Sequence, residues 1–221
     1  MTERTMNVDR DLAIRRHPER GRHEREIIDA ILDEAPFCHV GFVVDGQPFV
    51  IPTIHARDGD TLYLHGSNAS RMVRRLAEGI PACVTVTLLD GLVMARTVFD
   101  HSMNYRSVVV LGTLRELTDR DEKLVGLRAV AEHIAPGRWD EARQPNDKEL
   151  KATSVLAMPL DRTSAKIRTG PPKDDPEDLA LPVWAGVVPL RLASSQPIPD
   201  PALDPSMEVS GSIRRYLAER G

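Results

Sequence analysis

The segment Ile51-Pro-Thr-Ile-His-Ala-Arg-Asp-Gly-Asp-Thr-Leu-Tyr-Leu-His-Gly-Ser-Asn-Ala-Ser-Arg-Met72 runs from an apolar strand, through an Asp58-Gly59 turn and a second strand, into a hydroxyl-rich turn and a helix. Thr61–His65 reads as a strand that ends at Gly66, and Arg71 to Glu78 places Met72, Val73, Leu76 and Ala77 on one helical face. Ser67 and Ser70 therefore stand between strand and helix, where free N–H groups, the positive helix end and Arg71 suit an anion such as a phosphate. The same residues also fit a plain Ser70 cap on a helix whose arginines are solvated.

Outward from this segment the pattern is that of closely spaced antiparallel strands. Upstream, Ile27, Ile28, Ile31 and Leu32 have helical spacing over Glu24 to Glu34, and Pro36 ends that helix. Strands are expected at Cys38–Val44, Pro48–Ala56 and Thr61–His65, joined by Asp45-Gly46 and Asp58-Gly59. Downstream, Ala82–Leu89, an Asp90-Gly91 turn, Leu92–Phe99, Ser107–Leu117, Ser154–Asp161 and Ala165–Arg168 continue the series. A helix from Asp119 to about Ile134 is marked by Asp119 with Glu122 and stopped by Pro136-Gly137. The fold class is mainly β (α+β), a closed antiparallel barrel with flanking helices. Three regions follow: a charged arm over 1–23, loose or strapped over a partner, the barrel over 24–190, and a Pro-rich tail with a short helix over 191–221.

Composition narrows the function classes. The 221 residues with 41% hydrophobic content are enough for a real core. A net charge of −4 with both signs dispersed argues against nucleic acid. No leader-like N-terminus and no run near ~20 apolar residues is visible, so a cytoplasmic, membrane-free protein is expected. Cys38 and Cys83 lie in apolar strand runs and form no CxxC pair, which speaks against a disulfide or a metal site. There is no Gly-x-Ser-x-Gly elbow and no Gly-x-Gly-x-x-Gly turn, so neither a hydrolase nor a dinucleotide fold is indicated.

Two more polar clusters accompany the first: His101-Ser-Met-Asn-Tyr-Arg-Ser107 ahead of a β-branched run, and Ser164-Ala-Lys-Ile-Arg168 followed by Pro182-Val-Trp-Ala-Gly-Val-Val-Pro-Leu190. With IPT, LYLHGSNASRM, TVTLLDGLVMAR and PGRW, these resemble the flavin-binding split-barrel proteins related to pyridoxamine 5′-phosphate oxidase, in the branch of the nitroimidazole-resistance reductases. The resemblance spans roughly residues 25 to 190. It implies an FMN-binding split barrel of Greek-key-like topology, working as a homodimer with the flavin at the interface. FMN is the implied cofactor, with FAD, a deazaflavin or haem as alternatives.

Carried over residue by residue, the resemblance implies Ser67, Ser70 and Arg71 for the phosphate and Pro52, Thr53 and Ile54 for the strand beside the ring. Tyr105 and Arg106 would reach toward the flavin and Trp184 would lie beside it. His65 is the implied substrate-facing or redox-modulating side chain, and His55 or His101 stand near enough in sequence to approach the same cleft. The implied activity is transfer of electrons from a nicotinamide to a small electrophile, a nitro-compound or quinone. The alternative is a flavin, deazaflavin or haem carrier without turnover. The true oxidases carry Ser-Arg-Lys where this chain has Ser70-Arg71-Met72, which argues against vitamin B6 oxidation.

Overall fold

A computed structural model describes residues 11–220. In chain order the strands are β1 (Gly21–Arg22), β2 (Cys38–Val44), β3 (Gln47–Thr53), β4 (His55–Asp58), β5 (Thr61–Ser67), β6 (Pro81–Met94), β7 (Ser102–Thr113), β8 (Arg115–Glu116), β9 (Thr153–Pro159), β10 (Thr163–Arg168) and β11 (Gly186–Pro189). The helices are α1 (Arg25–Glu34), α2 (Arg71–Ala77), α3 (Arg120–Ile134), α4 (Arg138–Glu141), α5 (Asp147–Ala152) and α6 (Gly211–Arg220).

All pairings are antiparallel. The larger sheet runs β1-β10-β7-β6-β2-β3, with β11 added along the far half of β6, and the smaller runs β4-β5-β9-β8. The chain passes between sheets at Ile54, across 68–80 through α2, at Leu114 and across 160–162, and these crossings close the barrel. Alternate residues of the strands point inward, so Val40, Val84, Val86, Val108 and Val110 of one sheet meet Leu62, Leu64, Leu156 and Met158 of the other. Ile28, Ile31 and Leu32 of α1 and Met72, Val73 and Leu76 of α2 plug the barrel. Each fully buried aliphatic side chain contributes roughly 1.5–3 kcal/mol of transfer free energy. Helix α3 covers the outer face of the smaller sheet at Gly126, where an added Cβ would lie 2.6 Å from Val155 Cγ1.

Several expectations change in detail. The run Pro48–Ala56 is not one strand: β3 and β4 belong to different sheets and the break falls at Ile54. Asp90-Gly91 is not a hairpin turn, because β6 continues through it with a bulge between Leu89 and Gly91. Two forces outweigh the turn propensity of Asp-Gly: the Asp90 carboxylate is held by Arg106, and at Gly91 an added Cβ would come within 3.0 Å of Val187 Cγ1 on β11. Strand β7 begins at Ser102, five residues before the expected Ser107. Asp119 caps α3 as expected, accepting from the N–H groups of Asp121 and Glu122, but the reciprocal capping box belongs to Asn146 and Glu149 on the unanticipated α5. Of the arm, residues 1–10 lie outside the described residues. From Asp11 onward it lies on its own chain: Leu12 is buried, and Gly21 and Arg22 pair with Lys166 and Ala165.

Candidate cofactor site

The site residues gather in two places. At the first, β5 delivers His65 and Ser67 to the end of the smaller sheet. The Ser67 hydroxyl accepts from the Ala69 N–H at 3.2 Å and the Ser67 carbonyl from the Ser70 N–H at 2.9 Å, which shapes the turn. Asn68 pins it to the end of α5 through its N–H to the Ala152 carbonyl (3.0 Å) and its Nδ2 to the Lys151 carbonyl (2.9 Å). Ser70 precedes α2 with extended backbone, and its side chain makes no capping bond. The Arg71 guanidinium lies 4.5 Å from the Phe49 ring centroid, a cation–π contact, and meets no carboxylate among the described residues. Arg75, one turn on, is by contrast paired with Glu78 at 3.1 Å.

His65 is half-buried. Its Nδ1 is buried without a partner, and burial pushes the imidazole pKa down, which favours the neutral ring at neutral pH. Pro52 is exposed, opposite His39, while Thr53 and Ile54 are half-buried at the sheet crossing.

The second place is the far end of the larger sheet. Tyr105 lies opposite Leu89 and Arg168, half-buried. Arg106 is fully engaged: Nε and Nη2 donate to Asp90 at 3.0 and 2.8 Å, Nη1 and Nη2 to Glu34, and these acids raise its pKa further. Its donors thus hold α1 to the bulge of β6. Trp184 is 66% exposed, and its ring packs over Gly186, where a Cβ would approach it to 3.0 Å. Val188, two residues on, lies opposite Leu92, itself opposite Met103, so Trp184, Val188, Leu92 and Met103 form one exposed apolar strip. No periodicity could have shown this strip, because β11 was not legible as a strand.

Within one chain the two places stay apart. Phe49, under Arg71, is level with Phe42 and Ala82, whereas Tyr105 is level with Leu89. Seven positions along β6 amount to about 23 Å. His65, Ser67, Ser70 and Arg71 are therefore brought together, and Tyr105, Arg106 and Trp184 form a separate group.

Residues 24–167 match the family model described as pyridoxamine 5′-phosphate oxidase. The chain belongs to that family. Its similarity to two solved structures extends over nearly their whole length: the flavocytochrome Anf3 from Azotobacter vinelandii is 40% identical with a TM-score of 0.86 over 91% of this chain and 94% of that one. The FAD and heme binding protein from Mycobacterium smegmatis is 40% identical with a TM-score of 0.86 over 89% and 96%. A protein described as a 5-nitroimidazole antibiotic resistance protein from Bacteroides thetaiotaomicron is 24% identical with a TM-score of 0.56 over 66% and 86%, and shows the shared split-barrel fold alone. No curated protein matches the chain.

Proposed function

We propose that this member of the pyridoxamine 5′-phosphate oxidase family is a redox protein that binds a flavin and haem, and that its flavin is FAD, one of the alternatives to FMN that the resemblance leaves open. The observation that carries the flavin half is Arg71, a cation that meets no carboxylate among the described residues, stacked on Phe49 beside the Ser67 and Ser70 hydroxyls. That donor set fits a phosphate, with Pro52, Thr53 and Ile54 along the adjoining strand. The haem half is supported by relatives at 40% identity described as a flavocytochrome and as an FAD and heme binding protein. A flavin supplies hydride exchange with a nicotinamide and single-electron exchange with an acceptor. His65, neutral and partnerless at Nδ1, presents an imidazole at the end of the same strand, facing a substrate or tuning the cofactor.

In this reading the protein oxidises a nicotinamide and passes the electrons to haem or to a small electrophile such as a nitro-compound or quinone. A homodimer is supported by Val43 and Val50, which stand exposed on the outer face of the larger sheet. A cytoplasmic location agrees with two free thiols, and no helix among the described residues is long and apolar enough to cross a membrane.

The test is titration with FAD, FMN, a deazaflavin and haem followed by absorbance, then NADPH oxidation with a nitro or quinone acceptor. FAD binding with a haem Soret band is the expected result, and absence of every flavin spectrum refutes the reading. A second reading, a carrier without turnover, is favoured by the same relatives being described by what they bind. Stoichiometric FAD with no NADPH consumption would select it.

A further inference from the structure

The C-terminal part of the chain turns its apolar side chains the wrong way for a single copy. From Leu179 to Val209 every Leu, Ile, Val, Met and Trp except Val187 is exposed, Leu192 at 74% and Ile198 at 94%. The segment is nonetheless fixed in its path. It begins beside Asp174, whose buried carboxylate holds Arg96, and joins the larger sheet through β11. The Leu190 N–H donates to the Asp90 carbonyl at 3.0 Å. Further on, Pro197, Pro199, Pro201 and Pro205 restrict the backbone, and the Asp200 and Asp204 carboxylates each accept from the backbone N–H two residues on at 2.8 Å. The far end is locked where Glu141 takes the Ser212 N–H at 2.8 Å and the Ser212 hydroxyl at the start of α6.

The Arg96–Asp174 pair also ties this segment to the loop before β7. There the Thr97 hydroxyl donates to Asp100 at 2.9 Å, and Phe99 stands out at 92% exposure with Val98 beside it. Segment and loop together expose on the order of 900 Å² of apolar side chain. That exceeds the roughly 300–600 Å² of a monomer's largest patch and matches the ~800 Å² each partner buries in a stable interface. Ordered backbone with its apolar groups turned outward is preorganised for a protein partner.

Two observations make that partner a second copy. By strand alternation Val188 of β11 and Leu92 opposite it lie on the outer face of the larger sheet, the face that also exposes Val43 and Val50, so the two apolar areas are continuous with one sheet face. In charge the chain complements itself: Asp200 and Asp204 meet no cation among the described residues, and exposed Arg15 and Arg16 meet no carboxylate among them.

We propose that residues 179–209 are an arm that docks on a second copy of this chain, each copy clasping the other, with Trp184, Leu192 and Ile198 as apolar contacts. This rests on the homodimer reading and extends its interface from the sheet face around Val43 and Val50 to the arm.

Full-length wild type, Leu192→Asp, Ile198→Asp and Val125→Asp are compared by sedimentation equilibrium, with thermal melting at monomer concentrations as the fold control. Leu192 and Ile198 are exposed in one copy, so charging them should leave the monomer's melting unchanged. Each should weaken the dimer at least tenfold, because the carboxylate would be buried against an apolar partner. Val125, exposed on α3 away from the arm, should tolerate the same change with no effect on the dimer. An Ile198→Cys variant should react with a maleimide at least tenfold more slowly above the dimer dissociation constant than below it. A dimer as tight in both arm variants as in wild type overturns the arm, as does equal weakening by Val125→Asp or a maleimide rate independent of concentration. A lowered monomer melting temperature would mean that the arm packs on its own chain, which also overturns it. A wild type that is monomeric at every concentration defeats the homodimer reading itself, and the arm with it.

Discussion

The two ends of the larger sheet present a cation in opposite ways. At the turn, Arg71 is exposed at the start of a seven-residue helix and, among the described residues, is steadied by the face of Phe49. At the other end, Arg168 is buried and fixed by Asn104 and two backbone carbonyls. An exposed guanidinium is well hydrated and loses little when no ligand is present, but it must give up rotamer freedom when one binds. A buried guanidinium has given up that freedom on folding and bears its desolvation cost until a counter-ion arrives. The first arrangement suits a ligand that comes and goes; the second suits one that stays.

The sharpest way to break this contrast is to loosen the rigid end. The Asp174 side chain is 2% exposed and accepts from the Arg96 N–H at 2.6 Å and from its Nη1 at 2.8 Å, while the Arg96 Nε is buried without a partner. That pair anchors the segment carrying the Gly170 and Pro171 carbonyls that hold Arg168. Asp174→Asn should lower stability by about 3 kcal/mol, since it leaves a partly buried guanidinium uncompensated. Urea unfolding reads the loss, and flavin affinity at the turn should be unchanged; a loss below 1 kcal/mol would show that the segment is held by something else.

Acid should loosen the same end first. His55 is fully buried, its Nε2 donates to the Leu32 carbonyl at 2.9 Å, and its ring lies 4.8 Å from that of His133, whose Nε2 reaches the Ala35 carbonyl at 2.9 Å. The two imidazoles thus tie down the end of α1 that carries Glu34, the partner of Arg106. Burial first, then His133, lowers the His55 pKa to about 4, against a weaker opposing pull from the Leu32 carbonyl and Asp33. The unfolded chain therefore takes up this proton first, so stability is full above pH ~6.5 and falls as pH drops toward 4. Between pH 7 and pH 5 the loss from this group is about 2 kcal/mol. His55→Gln should flatten that part of the stability–pH curve, and an unchanged slope would assign the acid sensitivity elsewhere.

At the exposed end, Arg71→Ala should weaken FAD roughly 10- to 100-fold, the range for a hydrogen bond to a charged group, and leave the haem spectrum as it was. Fluorescence titration of the flavin checks this. A parallel loss of haem would mean that the turn holds both cofactors.

How much of this was legible depended on the range of the forces involved. The turn was readable because its hydroxyls, Arg71 and the apolar face of α2 are neighbours in sequence, and local spacing carries them. The barrel was readable from β-branched alternation, down to Cys38–Val44 with its end residues. Long-range contacts were not. Asp90-Gly91 looks like a hairpin turn until Arg106 and β11 are seen to hold it straight. Arg168 was legible only as a cation of the Ser164–Arg168 cluster, since its burial and the lack of a carboxylate beside it among the described residues are properties of space. Gly186–Pro189 becomes a strand only because β6 is long enough to receive it.

The smallest expected effect tests whether the exposed end is preorganised at all. Phe49 faces inward from β3, stacks on Phe42 with centroids 5.5 Å apart and carries Arg71 on its other side. A cation–π contact at an exposed site is worth ~0.5–1 kcal/mol, so removing the ring while keeping the arginine should lower FAD affinity only about two- to fivefold. Phe49→Leu removes the π face and Phe49→Tyr retains it, and both keep an apolar group against Phe42. If the leucine variant binds more weakly and the tyrosine variant matches wild type, the ring is orienting Arg71 for its ligand. If both match wild type, Arg71 is ordered by the bound phosphate alone, and the difference between the two ends of the sheet is larger still.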